Sequence, residues 1–150
     1  MSIKEKFKDL KKMKNLRPFH LAIPVTDINL ARRFYGGTLN LIEGRSDKDW
    51  IDYNFYGHQL VCHISSQTNK DENVVDGKNI PIPHFGIILD MVNFETLHQQ
   101  LEKSNISFKI KPYIRFLGEA GEQKTMFFQD PFGNNLEFKA FKDDKQIFEN

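Results

Sequence analysis

Apolar and polar positions along the chain fall into a pattern that is laid down twice. From Phe19 to Val25 runs a short apolar stretch with β-branched residues, the pattern of a strand. Asp27 stands where a helix N-cap belongs, and Ile28, Leu30, Ala31, Phe34 and Tyr35 supply a helical face that Gly36-Gly37 should end. Strand-like pieces follow at Asn40 to Gly44, Trp50 to Tyr56 and His58 to Ser65, with Gly57 as a tight turn between the last two. A polar segment from Ser66 to Asn79 reads as a linker or long loop. The order then restarts. Pro83 to Leu89 is a strand, and Asn93 should cap a helix carrying Phe94, Leu97 and Leu101. Ser107 to Phe116 and Lys124 to Gln129 are extended, Asp130-Pro131-Phe132-Gly133 is a turn, and Asn134 to Phe141 is the last strand.

Two passes of one order within a short chain indicate an internal duplication. His20-Leu21-Ala22-Ile23 matches His84-Phe85-Gly86-Ile87 in type, and each precedes a capped helix. Gly57-His58-Gln59-Leu60-Val61 matches Gly133-Asn134-Asn135-Leu136-Glu137 at the far end of each unit. The expected fold is α+β, with two tandem βαβββ modules forming curved mixed sheets around a cavity; a ferredoxin-like sandwich is the alternative. The chain divides into a basic arm (1–17), module one (18–65), linker (66–82), module two (83–141) and a tail (142–150). Within the arm, Ile3, Phe7, Leu10 and Met13 recur at helical spacing.

Composition narrows the function classes. Hydrophobic residues make up 39% of 150, with 14 Phe, enough for a packed core. The net charge of +1 gives no global electrostatic case for nucleic acid or membrane. No apolar run approaches the roughly 20 residues of a membrane span, and the Lys-rich amino terminus lacks the apolar core of a secretory signal. The single cysteine, Cys62, excludes an internal disulfide and a multi-cysteine zinc site. A soluble cytoplasmic domain is the expectation.

Five histidines carry the candidate chemistry. Singly, each has a structural reading: His98 as a solvated helix residue, His58 as an exposed turn neighbour, His63 as a hydrogen-bonded strand residue. The duplication changes the reading of two of them, because His20 and His84 hold the same place in the first strand of each unit. Glu137, between Leu136 and Phe138, is either a surface residue under alternation or a carboxylate held by a partner or a metal. Together, His20, His84 and Glu137 have the composition of the two-His, one-carboxylate triad that holds a divalent iron with open positions.

On Phe19-His20-Leu21-Ala22-Ile23-Pro24-Val25, Pro83-His84-Phe85-Gly86 and the Asp130-Pro131-Phe132-Gly133-Asn134-Asn135-Leu136-Glu137 turn and strand, the chain resembles the vicinal oxygen chelate superfamily. Glyoxalase I, bleomycin and fosfomycin resistance proteins and extradiol dioxygenases belong to it. The resemblance implies a metal held by His20, His84 and Glu137. Val61 stands at the place of a fourth ligand, which directs the expectation to the extradiol dioxygenase-like branch. That branch implies Fe(II), with Mn, Zn or Ni as alternatives, dioxygen, and a small vicinal-diol or catechol-like substrate. His58 would move protons in such a site, and His63 competes because alternation puts it on the face of Val61. Phe127 stands where ring-cleaving relatives place a Tyr, so Tyr113 or another residue would have to supply the hydroxyl. The alternatives are a glyoxalase-like lyase, isomerase or thiol transferase, and a metal-free small-ligand binder. A homodimer is expected, without nucleic acid or membrane partners.

Overall fold

The computed structural model describes residues 17–66, 71–75 and 77–148, so most of the basic arm, with its expected helix, lies outside the described residues. The elements in chain order are β1 (His20–Val25), α1 (Ile28–Ala31), β2 (Ile42–Asp47), β3 (Trp50–Phe55), β4 (His58–Ile64), β5 (Asp71–Val75), β6 (Lys78–Ile82), β7 (His84–Phe85), β8 (Ile88–Leu89), α2 (Met91–Lys103), β9 (Phe108–Arg115), β10 (Gln123–Gln129) and β11 (Asn135–Phe141). One sheet has the order β1-β4-β3-β2, the other β7-β11-β10-β9 with β8 also on β11. In the first, β1 runs parallel to β4, and in the second β7 and β8 both run parallel to β11; the remaining pairs are antiparallel. The duplication read from the sequence is therefore a duplication of topology. Registers agree too: His20 pairs with Gln59, and His84 with Asn135.

Alternation decides which face of each sheet is buried. Leu21, Ile23 and Val25 of β1, and Leu60 and Cys62 of β4, enter one core with Leu136, Phe138 and Ala140 of β11 and Met126 and Phe128 of β10. Ring contacts join the units, Phe55 to Phe138 at 6.0 Å and Phe34 to Phe128 at 6.5 Å between centroids. The two sheets thus meet through apolar faces, with the helices in the same core. Their other faces, carrying His20, Gln59 and Val61 on one and His84 and Glu137 on the other, turn away from it.

Several boundaries differ from the sequence expectation. Asp27 does cap α1, its Oδ1 accepting from the Leu30 N–H at 2.8 Å. Gly36-Gly37 does not end the helix. The chain widens into π-helical turns over Arg32–Thr38, with the Leu39 N–H bonded to the Phe34 carbonyl five residues back, and both Phe34 and Tyr35 are buried. The second helix is capped by Asp90, not Asn93, whose N–H donates to Asp90 Oδ1 at 2.8 Å. The segment expected to be a linker contains the β5–β6 hairpin, with Gly77 at φ 70° beside the Val75–Lys78 pair. Ile80 of this hairpin packs with Ile110 and Phe127. In the expected tail, Asp144–Phe148 form a 3-10 turn. Among the described residues no helix is long and apolar enough to cross a membrane.

Candidate metal centre

The second sheet builds a polar site around Glu137. Because β7 runs parallel to β11 with His84 opposite Asn135, Glu137 lies two residues further along on the same face. His84 Nε2 and Glu137 Oε2 are 3.1 Å apart. That approach depends on Gly86: a Cβ there would lie 1.5 Å from the Glu137 carbonyl oxygen, so no side chain is compatible with the path between β7 and β8.

Each member of the pair is held from behind. The Pro81 carbonyl lies 2.7 Å from His84 Nδ1 and can only accept, so Nδ1 carries a proton and Nε2 faces the carboxylate. The Thr125 hydroxyl donates to Glu137 Oε1 at 2.7 Å, which leaves Oε2 toward His84. Phe127, opposite Glu137 in the β10–β11 ladder, sets its ring edge-on to His84 with centroids 5.1 Å apart. The hydrogen bond to Glu137 lifts His84 above its ordinary pKa against partial desolvation, with the Pro81 carbonyl adding to the lift. Burial opposes ionisation of Glu137, but hydrogen bonds from His84 and Thr125 and the charge of Lys139 outweigh it and hold the carboxyl below its ordinary value.

The expected ligands are not all brought together within one chain. His84 and Glu137 meet. His20 lies exposed on the other sheet, its Nδ1 2.8 Å from Gln59 Oε1. Among the described residues no three His, Cys, Asp or Glu gather as an ion-holding group. The physical reason is the shared apolar core, which turns the two histidine-bearing faces away from it. His58 is also set apart. Alternation along β4 puts it with Leu60 and Cys62, opposite to Gln59 and Val61, and its Nδ1 accepts from the Phe19 N–H at 2.9 Å. That bond occupies the nitrogen a proton acceptor would need. His63 shares the face of Gln59 and Val61 and is exposed. His98 lies on α2 between Glu95 and Glu102, 3.6 and 3.3 Å away. Tyr113, directly opposite Thr125, shares the face of the Glu137 site and packs with Phe127 and Ile110. Thr125 is the polar residue the sequence reading missed; its signal was its even spacing from Phe127 beside the Glu137 strand.

Pro24, Pro83, His84, Phe85 and residues 132–135 border a mainly apolar cavity of about 320 Å³ between the two units. Its floor is the Asp130 turn. Asp130 accepts from the N–H groups of Phe132 and Asn134, from Asn134 Nδ2 and from the Tyr35 hydroxyl, all within 2.9 Å. Asn134 also donates to the Pro24 carbonyl at 2.7 Å, tying the second unit to the first.

A paired βαβββ fold carrying a histidine–carboxylate pair on the first and last strands of a unit defines a class, and the comparisons agree. Residues 17–138 match the Glyoxalase/Bleomycin resistance protein/Dioxygenase superfamily, and the chain belongs to it. A glyoxalase/bleomycin resistance protein/dioxygenase from Alicyclobacillus acidocaldarius is 36% identical, covers 91% of this chain and 100% of its own, and superposes with a TM-score of 0.77. A glyoxalase/dioxygenase from Nostoc punctiforme (17% identity, 88% and 94% covered, TM-score 0.62) and the fosfomycin resistance protein FosX from Listeria monocytogenes (15%, 85% and 93%, 0.61) share the fold. No curated protein matches the sequence.

Proposed function

We propose that this protein is a divalent-metal enzyme that takes a small substrate through two neighbouring oxygens, with extradiol-type oxygenation of a catechol-like diol as its reaction. The observation that carries the reading is the His84–Glu137 pair. Two ligands about 2.1 Å from one ion and at right angles to each other stand about 3 Å apart, and these two atoms are 3.1 Å apart. The third ligand is His20 of a second copy of the chain, since each copy carries its own exposed imidazole on the face of its first sheet that turns from the shared core. The protein is thus a homodimer with each centre shared between copies.

A divalent cation in that position, Fe(II) for oxygenation, would act as template and Lewis acid for the substrate oxygens. The chain's own residues do the rest. Pro81 and Thr125 fix the directions of His84 and Glu137. Val61 offers no ligand where Glu137 has its counterpart in the first sheet, which leaves coordination positions open. Phe127 and Ile110 wall the site with apolar surface. His63 is the imidazole on the His20 face that can hold or move a proton. A second reading, isomerase or lyase chemistry on the same centre, is favoured by Phe127, which brings no hydroxyl to the substrate.

Two experiments test this. Metal-free protein reconstituted with Fe(II) without air, then given a panel of catechols, should consume oxygen; no uptake with iron bound would remove the oxygenase reading, and turnover of a hemithioacetal instead would favour the second. His20→Ala and Glu137→Ala should each bind no metal tightly, whereas a mixed dimer of the two variants should regain one intact site. Failure of the mixture to regain binding would refute the shared centre.

A further inference from the structure

The face of the first sheet that carries His20 holds a polar chain crossing three strands. His20 on β1 stands opposite Gln59 on β4, with His20 Nδ1 2.8 Å from Gln59 Oε1. The other end of the same amide donates from Nε2 to Asp52 Oδ2 on β3 at 3.1 Å. Asp52 is buried, at 8% exposure, and the exposed Arg45 has its Nη2 3.8 Å from Oδ2.

The order of donors follows from Asp52. A carboxylate oxygen accepts, so the Gln59 NH2 faces Asp52 Oδ2, the contact at 3.1 Å. The amide oxygen then faces His20, and an oxygen opposite a ring nitrogen requires a proton on that nitrogen. Nδ1 of His20 is therefore the N–H, and Nε2 is left with its lone pair. His84 reaches the same tautomer by another device, the Pro81 carbonyl. The residue equivalent to Gln59 in the second sheet, Asn135, accepts from Gln129 and does not serve His84. The equivalence extends one step further. Asp52 pairs with Val61 as Phe127 pairs with Glu137, so in the first sheet the carboxylate sits one strand away from the place it holds in the second.

The geometry points to Asp52 and Gln59 as positioning residues that lock His20 in the Nδ1–H tautomer and so present its Nε2 lone pair as a metal ligand, an assignment that rests on the metal reading above. Outer partners of metal-binding histidines characteristically fix tautomer and orientation, and their loss costs about 10- to 100-fold in metal affinity. Asp52 is accordingly not a ligand, although it is a carboxylate on the ligand face.

The test has one readout that needs no metal. Imidazole 15N spectra of the metal-free protein at about pH 8.5, where an ordinary histidine is neutral, should show His20 protonated at Nδ1. Gln59→Leu and Asp52→Leu should mix the two tautomers, and the double variant Gln59→Glu with Asp52→Asn, which restores an acceptor held by a donor, should return the Nδ1–H form. Mn(II) affinity, followed by the free-ion EPR signal, should fall about tenfold or more in both single variants and recover in the double. An Nε2–H tautomer in the wild type, or one unmoved by Gln59→Leu, overturns the lock. A loss of Mn(II) affinity in Asp52→Leu without a tautomer change also overturns it, since Asp52 would then act on the ion directly. Wild-type protein that binds no Mn(II), Fe(II) or Ni(II) refutes the metal reading instead, and the spectra alone then judge the lock.

Discussion

Glu137 and His84 belong to adjacent parallel strands and meet at 3.1 Å, although 53 positions separate them in sequence. One ladder register and one glycine create that meeting. β11 pairs with β7 so that Glu137 comes level with residue 86, and the absence of a side chain there lets the two backbones close up. The pair is only partly shielded, its side chains 30% and 10% exposed, so one side remains open to a ligand.

Replacing either member should remove tight metal binding while the fold persists. For His84→Ala and Glu137→Gln we expect divalent-ion affinity, measured by calorimetry, to drop at least about 100-fold, roughly 3 kcal/mol. The stability of the metal-free protein should fall by only about 1–2 kcal/mol, the cost of a broken, partly solvated hydrogen bond. An affinity unchanged in both variants would show that the ion, if bound, sits elsewhere.

Gly86→Ala should be far more damaging than its size suggests. The added carbon meets backbone rather than a movable side chain, 1.5 Å from the Glu137 carbonyl oxygen, so β7 and β8 must leave β11. We expect a loss of about 3 kcal/mol or more, read as a fall in Tm of roughly 10 °C, with metal binding lost as well. Ala at the matching position of the first unit, residue 22, is the natural contrast, because there β1 runs unbroken beside β4.

The fold was legible in this sequence because its two halves repeat both hydrophobic period and punctuation. Leu21, Ile23 and Val25 alternate inward as strand residues do, and Phe94, Leu97 and Leu101 return at helical spacing to the core. What escaped was local. The β5–β6 hairpin is hidden by polar composition, and the packing of Ile80 on β6 depends on its finding Ile110 and Phe127 on other strands. The site was legible by residue type and by the repeat, which grouped His84 with Glu137 but also placed His20 with them; the His20–Gln59 contact came only with the β1–β4 register. It was not legible by assembly, since alternation assigns a residue to a face but cannot say which way the two units turn their faces. His58 illustrates the limit: the Phe19 N–H that occupies its ring nitrogen comes from the residue just before the neighbouring strand β1.

Asp130 should be the stability anchor of the site. Its carboxylate gathers four donors while buried at 5% exposure, and one of them, the Tyr35 hydroxyl at 2.7 Å, comes from the first unit. Burial pushes its pKa up although every one of those hydrogen bonds pulls it down. Tyr35→Phe should cost about 1 kcal/mol in urea denaturation, one hydrogen bond to a charged group less the solvation regained. Asp130→Ala should cost about 3 kcal/mol, because three donors of the turn and the tyrosine lose their acceptor together. Equal losses in the two variants would mean the turn does not depend on the carboxylate.

The metal-free protein should draw most stability from the His84–Glu137 pair in mildly acidic solution. The shifts have opposite signs. His84 is raised above its ordinary 6.5, so its contribution is complete below about pH 6.5 and is lost as pH rises through the higher folded value. Glu137 is lowered below its ordinary 4.5, so its contribution is present above about pH 4.5 and is lost as pH falls through the lower folded value. Both hold together between about pH 4.5 and 6.5. Because His84 is 30% exposed, solvent limits the pair to about 1 kcal/mol. The difference in unfolding free energy between wild type and Glu137→Gln, measured after chelator treatment, should therefore peak near pH 5.5 and shrink toward pH 8 and pH 3. A difference that stayed level across that range would show that His84 and Glu137 do not form a charged pair in the folded protein.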